Sequence, residues 1–148
     1  MRLIEKAYAA AKEDVKLDWT EVKGKGSNPL IVECYKAVDG LGNPELLDDD
    51  GTSWCSCYVN KKIQDAGGKG TRNALARSWL QWGNELKKPV EGCIVVFKRG
   101  TSSWQGHVSF FIKKDENYVW CLGGNQSNNL VISKYKVADV LGYRTSKD

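Results

Sequence analysis

Residues 51–66 read GTSWCSCYVNKKIQDA, and this stretch decides how the first half of the chain folds. The pattern predicts a helix that begins at Ser53 or Trp54 and stops before the Gly67-Gly68 pair, a typical helix end. Cys55 would then lie in the first turn, where the helix dipole and outward-facing N–H groups lower the pKa of a thiol. The stretch therefore predicts a nucleophilic thiol, and the alternative is a Cys that simply fills the core.

A thiol nucleophile needs an imidazole from elsewhere in the fold as its base. The chain contains a single His, His107, in the segment Trp104-Gln105-Gly106-His107-Val108. Gly106 permits another segment to approach closely, and Val108 begins an apolar, strand-like run. His107 is therefore the candidate base, and the alternative is a strand-end His that bonds only to backbone.

A third polar group is expected to orient the imidazole through its second nitrogen. Asn125 lies in the segment Leu122-Gly123-Gly124-Asn125-Gln126-Ser127, at the end of the strand predicted after the His strand. A hairpin would bring that strand end beside His107. Gln126 is the rival for this role, Asp115 and Glu116 fall at the opposite end of the hairpin, and turn chemistry alone would also explain the segment.

The whole chain reads as helices followed by strands. An amphipathic pattern before Asp14, a helix start at Asn28-Pro29 and a helical pattern over 73–82 all precede Pro89. After Pro89 come four apolar runs separated by short turns, which favour antiparallel hairpins: 93–97, 107–112, 118–122 and 130–135. Helices first and strands afterwards are typical of an α+β fold.

Length and composition limit the number of domains and the class of binding partner. The 148 residues, 41% of them apolar, fit a single catalytic domain over 1–148. A net charge of +4 without a block of like charges gives no reason to expect nucleic acid binding. There is no apolar run of about 18 residues that would span a membrane, no apolar signal core before Asp14, and no sign of oligomer contacts, so a monomer is expected.

Metal chemistry is disfavoured by the ligand types available. One His excludes a zinc site built on two or three His, and five Cys without a signal peptide favour reduced thiols over a disulfide framework. The acidic run Asp48-Asp49-Asp50 offers carboxylates of the kind that bind calcium. The alternative is a solvated loop before a helix, and we expect no cofactor.

Aromatic side chains flank both candidate catalytic residues. Trp54 precedes Cys55 and Trp104 lies shortly before His107, so both are candidates to line a substrate groove, with core packing as the alternative. Ser56 and Gln126 complete the predicted substrate-binding set. Three other thiols fall in apolar patterns and are expected in the core: Cys34, Cys57 and Cys121.

Five segments in order resemble the CHAP/NlpC-type cysteine peptidases, and more narrowly the compact subfamily of phage endolysins and prophage peptidoglycan hydrolases. These segments are WCSCYVN at 54–60, ARSWLQWG at 76–83, GCIVVF at 92–97, WQGHV at 104–108 and LGGNQSN at 122–128. The resemblance runs from about residue 20 to Tyr143, and the order of the motifs makes it specific.

The resemblance implies a papain-like α+β fold in which a nucleophile helix packs on a C-terminal antiparallel β-sheet. It implies Cys55 as nucleophile, His107 as general base and acid, and Asn125 as the orienting residue. CHAP domains often carry Glu two positions before this Asn; Gly123 stands there in this chain, which favours an amide-assisted imidazole. Cys93 stands where the subfamily usually has Asp.

The function implied is cleavage of amide bonds in bacterial peptidoglycan, as an N-acetylmuramoyl-L-alanine amidase or a stem-peptide endopeptidase. We expect synthesis in the bacterial host cytoplasm without a signal peptide and action on the cell wall after holin-type release, with no separate wall-binding domain. The alternatives are an interbacterial effector with the same chemistry, a catalytically idle wall-binding module, and an acyltransferase.

Overall fold

The computed structural model describes residues 1–17, 29–39, 54–126 and 129–148. Three α-helices come first along these ranges: α1 (Leu3–Asp14), α2 (Pro29–Tyr35) and α3 (Cys55–Asp65). A 3₁₀ helix follows at Ala76–Gln81, and a second one lies at Val137–Asp139. Among the described helices, none has the length and hydropathy needed to cross a bilayer.

The strands form a single antiparallel sheet in the order β1-β6-β2-β3-β4-β5. Their bounds are β1 Asn84–Leu86, β2 Ile94–Lys98, β3 Gly106–Lys114, β4 Tyr118–Gln126, β5 Asn129–Lys136 and β6 Val140–Thr145. The expected α+β class is confirmed, and so are the four predicted strand regions, which became β2 to β5.

Helix α3 begins and ends close to where the sequence predicts. Its final turn is closed by Gly67, whose φ of +95° suits a residue without Cβ and whose N–H donates to the carbonyl oxygen of Gln64. The helix buries Tyr58, Val59 and Ile63 completely. Burying apolar side chains of this size stabilises the fold by about 1.5–3 kcal/mol each, so α3 is held firmly against the sheet.

Polar contacts tie α1 to α3. Asp14, at the end of α1, accepts a hydrogen bond of 3.0 Å from the hydroxyl of Tyr58 and lies 2.6 Å from Nζ of Lys62. Both partners are on α3, and Lys62 is itself buried. These contacts hold α1 against α3, the helix that carries Cys55.

Both faces of the sheet are covered by core. The helices cover one face, where Val96, Val108 and Phe110 pack in the same cluster as Cys55 and Tyr58. The alternate residues of the strands point to the second face, because successive side chains of a strand alternate. That face holds a second cluster with members Cys93, Val95, Phe97, Phe111, Val119 and Cys121.

Three features differ from the sequence-based expectation. The predicted helix over 73–82 is a short 3₁₀ helix, because Asn73 uses its side-chain oxygen to accept the N–H of Leu75, in a turn that delays the helical start. Strands β1 and β6 were not predicted. Neither has a clear apolar pattern, since β1 is largely exposed and Gly142 and Arg144 interrupt β6. Asn28, the predicted cap, lies outside the described residues, while Pro29 does begin α2.

Candidate active site

Cys55 is the first residue of α3. Trp54 precedes it with non-helical backbone angles, and its carbonyl oxygen accepts the first helical bond, from the N–H of Tyr58. The thiol therefore sits at the positive end of the helix, beside first-turn N–H groups that intrahelical bonding does not use. This is the placement that the sequence predicts for a reactive thiol.

A cleft of about 210 Å³ opens beside Cys55. One wall is the segment 74–76 that leads into the 3₁₀ helix, and the other is the segment 104–106 that leads into β3, with Arg99 nearby. Since His107 follows directly on the second wall, the fold brings the thiol and the start of the His strand to one cleft.

Arg77 fixes the wall that leads to His107. Its Nε donates a hydrogen bond of 2.8 Å to the carbonyl oxygen of Gln105, and its Nη2 donates one of 2.7 Å to that of Ser102. Gly106 completes the fit, because a Cβ there would stand 2.6 Å from the carbonyl oxygen of Phe97. The close approach predicted for Gly106 is confirmed.

The imidazole of His107 is buried and held on several sides. His107 is the second residue of β3, pairs with Phe97 across the ladder, and is 2% exposed. Its Nε2 lies 2.7 Å from Oγ of Ser109. Its ring centroid lies 6.2 Å from that of Phe97 and 5.0 Å from that of Tyr135. These contacts fix the orientation of the ring.

Tyr135 interacts with both proposed catalytic residues, His107 and Cys55. Its pKa is raised mainly by burial, then by the buried Cys121, and also by the charge that Cys55 carries when ionised, while Arg99 lowers it. Its ring meanwhile contacts that of His107. Tyr135, on the edge strand β5, thus interacts with both His107 and Cys55.

Asn125 and Gln126 are the last two residues of β4, beside the His strand. Phe110 of β3 pairs with Leu122 of β4, and the same antiparallel register would bring Asn125 opposite His107 if it continued toward the end of β4. The structure does not describe the side chains of Asn125 and Gln126, so the choice between them as orienting residue stays a prediction.

Trp54 and Ser56 are not among the residues that line this cleft, so the structure gives no support to their predicted role in substrate binding. Both are fully buried. The ring of Trp54 packs over Gly124, where a Cβ would stand 2.4 Å from it. Oγ of Ser56 donates to the carbonyl oxygen of Asn73 at 2.6 Å and accepts from Nε1 of Trp79 at 2.9 Å. Both side chains support α3 from inside.

Trp104 is 58% exposed on the cleft wall, where the sequence predicts a substrate-binding aromatic side chain. Four further residues at or near the cleft were not predicted from the sequence: Arg77, Arg99, Ser109 and Tyr135. Ser109 carried a signal, since a residue two positions after His107 on a strand shares its face. The other three carried none, because their contacts with the site are made by segments that are distant in the sequence.

The other thiols are core residues. Burial is the main cause that raises the pKa of Cys57 to about 12, Cys93 to about 11 and Cys121 to about 12, and it also raises the pKa of Cys34. At neutral pH these thiols stay protonated and are weak nucleophiles. Cys93, the departure from the subfamily pattern, is a member of the second core cluster.

No group of three potential metal ligands is found within the described ranges. Asp48, Asp49 and Asp50 lie outside them, so calcium binding there stays a prediction. A larger cavity of about 630 Å³ lies elsewhere, between the start of α1, the loop after α3 and the chain end, and neither Cys nor His is among its described lining residues.

The fold and the cleft define a class of protein: an α+β domain with a thiol at a helix start and an imidazole on the adjoining antiparallel sheet, as in cysteine hydrolases. The family model of the CHAP domain matches residues 47–125, more than half of the chain, and the chain belongs to the CHAP domain family. This family consists in general of cysteine peptidases and amidases that hydrolyse peptidoglycan. A search among curated proteins finds no match.

Proposed function

We propose that the protein cleaves amide bonds of peptidoglycan with Cys55 as nucleophile, His107 as general base and acid, and Asn125 as the residue that orients the imidazole. The observation that carries the proposal is the position of Cys55 at the start of α3, in a cleft whose opposite wall leads directly into His107. All five thiols are buried, Cys55 being 2% exposed, but Cys55 lines the cleft, and burial raises the pKa of each of the other four, which makes them weaker nucleophiles.

The reaction follows from these placements. Since Ser109 holds Nε2, we assign to Nδ1 of His107 the proton of the Cys55 thiol. The thiolate adds to the carbonyl carbon of the amide, and the first-turn N–H groups of α3 stabilise the resulting oxyanion. His107 then donates its proton to the amide nitrogen as the C–N bond breaks, and the amine leaves.

The second half of the reaction restores the thiol. A water molecule gives a proton to Nδ1 of His107 and its oxygen attacks the thioester carbon. The C–S bond breaks, a carboxylic acid is released, and the proton returns to the sulfur of Cys55. Asn125, which would lie opposite His107 if the register of β3 and β4 continued, would share with Ser109 the alignment of the ring through both halves.

The exposed part of the cleft suits a peptide that carries carboxylates. Arg99 contributes a positive charge to the cleft lining and lowers the pKa of Tyr135, whose ring packs against His107. Trp104 offers a broad exposed face for a sugar ring or a peptide plane. Stem peptides of peptidoglycan combine both features.

We further propose a lysis enzyme of the compact endolysin type, made in the bacterial host cytoplasm and active on the cell wall after holin-type release. The support is the resemblance of the ordered motifs around Cys55 and His107. Co-expression with a holin should lyse cells and co-expression of Cys55→Ala should not. Lysis by the Cys55→Ala protein would contradict this role.

The direct test is digestion of purified peptidoglycan followed by mass spectrometry of the fragments. Stem peptides free of sugar would indicate amidase action, and a cut within the stem or cross-bridge would indicate an endopeptidase. Cys55→Ala and His107→Ala should abolish digestion, while Cys57→Ala, which removes a core thiol from the same helix, should keep it. Full digestion by Cys55→Ala would overturn the mechanism.

The orienting residue needs its own pair of variants. Asn125→Ala should slow digestion less than His107→Ala does, because aromatic packing and Ser109 also hold the ring. Gln126→Ala is the matched control. If Gln126→Ala were the damaging change and Asn125→Ala harmless, the orienting role would belong to Gln126.

A further inference from the structure

Ser109 is a buried hydroxyl in direct contact with the proposed base. It lies two residues after His107 on β3, so both side chains point to the same face of the sheet, and none of its surface is exposed. Its Oγ lies 2.7 Å from Nε2 of His107. A neutral imidazole carries its proton on one nitrogen only, and its hydrogen-bond partner decides which nitrogen that is.

The hydroxyl of Ser109 has a second partner on the neighbouring strand. Cys121 of β4 pairs with Phe111 of β3 and is completely buried. Burial raises the pKa of Cys121 to about 12, and a hydrogen bond with Ser109 acts in the opposite direction. The hydroxyl of Ser109 can therefore bond to the sulfur of Cys121 as well as to His107, and the proposed function requires that Nδ1 of His107, not Nε2, take the proton of Cys55.

A Ser hydroxyl has one proton to donate and two lone pairs that accept. When the proton of Ser109 is directed to the sulfur of Cys121, its oxygen faces Nε2 of His107 as an acceptor. We propose that Ser109 is a positioning residue that holds His107 in the tautomer with hydrogen on Nε2, within a relay from His107 through Ser109 to Cys121. The proposal deepens the proposed function and rests on it, because His107 can accept the proton of Cys55 at Nδ1 only in this tautomer.

The relay confines proton exchange to one side of the ring. In the proposed tautomer, Nε2–H donates across the 2.7 Å contact to Ser109 both when the imidazole is neutral and when it is the imidazolium. The proton taken from Cys55, and later given to the leaving amine, therefore enters and leaves through Nδ1. A ring in the other tautomer would have no lone pair at Nδ1 and could not act as the base.

The tautomer can be read directly, since His107 is the only His of the chain. The protein is labelled with ¹⁵N-histidine, without a polyhistidine tag, and long-range ¹H–¹⁵N spectra are recorded in a Cys55→Ala background that removes the thiol partner. We expect the Nε2–H tautomer. Ser109→Ala should give a mixture of tautomers and Ser109→Thr, which keeps the hydroxyl, should restore the single form. The Nδ1–H tautomer, or a spectrum that Ser109→Ala leaves unchanged, would overturn the proposal.

A matched control and an activity measurement complete the test. Ser133→Ala removes a hydroxyl opposite Cys121 on β5 and should change neither the spectrum nor the rate. With Cys55 present, Ser109→Ala should lower kcat about tenfold, the size of one hydrogen bond, with KM unchanged. If the unmutated protein does not digest peptidoglycan, the proposed function fails, and the spectra, which need no substrate, still decide the claim about Ser109.

Discussion

Arg77 donates a hydrogen bond of 2.8 Å from its Nε to the carbonyl oxygen of Gln105, two residues before the proposed base. A second bond from the same guanidinium reaches the carbonyl oxygen of Ser102. A single side chain of the 3₁₀ helix thus sets the path of the loop that forms one wall of the cleft. The cleft depends on this anchor as well as on the residues that line it.

Arg77→Ala should therefore reduce kcat/KM for peptidoglycan digestion by about tenfold or more, because the loop that leads to His107 loses two charge-assisted hydrogen bonds. The value of kcat/KM is measured from the rate at which a cell-wall suspension loses turbidity, at several substrate concentrations. Arg72→Ala is the matched control, since Arg72 forms an exposed ion pair with Asp39 and does not line the cleft. Equal activity of the two variants would show that the anchor has no part in catalysis.

Ser56→Ala should lower stability and leave substrate binding unchanged. The substitution removes the acceptor of the buried Nε1 of Trp79 and the donor to the carbonyl oxygen of Asn73. A buried polar group without its partner costs about 1–3 kcal/mol, which lowers the Tm by about 2–12 °C for a chain of this size. Thermal unfolding and KM are measured on the same preparation. A raised KM with an unchanged Tm would restore Ser56 to the substrate site.

Stability should fall at alkaline pH because of the core thiols. Their pKa values rise from an ordinary 9.0 to about 12 for Cys57, about 11 for Cys93 and about 12 for Cys121. The folded protein holds these protons more tightly than the unfolded chain does, so the contribution is complete below pH 9 and is lost as the pH rises through 11 and 12. Tyr8 adds to the loss above pH 10, since burial raises its pKa as well.

Urea unfolding in the presence of a reductant, at pH 7.5, 9 and 10.5, checks this prediction. The free energy of unfolding should be similar at the first two values and clearly lower at the third. Cys121→Ser provides the comparison, because it removes one of the titrating thiols and should flatten the decline. A free energy that stays constant up to pH 10.5 would contradict the assignment of these thiols to a closed core.

Much of the fold could be predicted from local pattern. Helix α3 follows from its apolar spacing and its Gly67 stop, and β3 follows from the apolar run after Gly106. Strand β6 could not be predicted, because its pairing with β1 and β2 is a long-range choice that its own residues do not signal. Local pattern therefore predicted the elements that bury a regular face and missed those that tertiary pairing creates.

The residues of the candidate site also fall into those that the sequence predicts and those that only the tertiary structure brings to the site. Cys55 and His107 could be predicted because chemistry needs those residue types and the chain has a single His. Tyr135 could not, since it lies on the edge strand β5, distant in sequence from His107, and nothing in its own segment signals the contact of the two rings. Trp54 was predicted at the groove because it adjoins Cys55, whereas in the structure its side chain is fully buried.

The central claim is that Cys55 is the reactive thiol, and limited alkylation tests it most directly. The folded protein is treated with a small excess of iodoacetamide at pH 6.5, and modified Cys is located by peptide mass mapping while digestion of peptidoglycan is followed in parallel. We expect a single adduct, on Cys55, that forms in step with the loss of activity and much more slowly in His107→Ala. An adduct on another thiol, or full activity with Cys55 alkylated, would contradict the account.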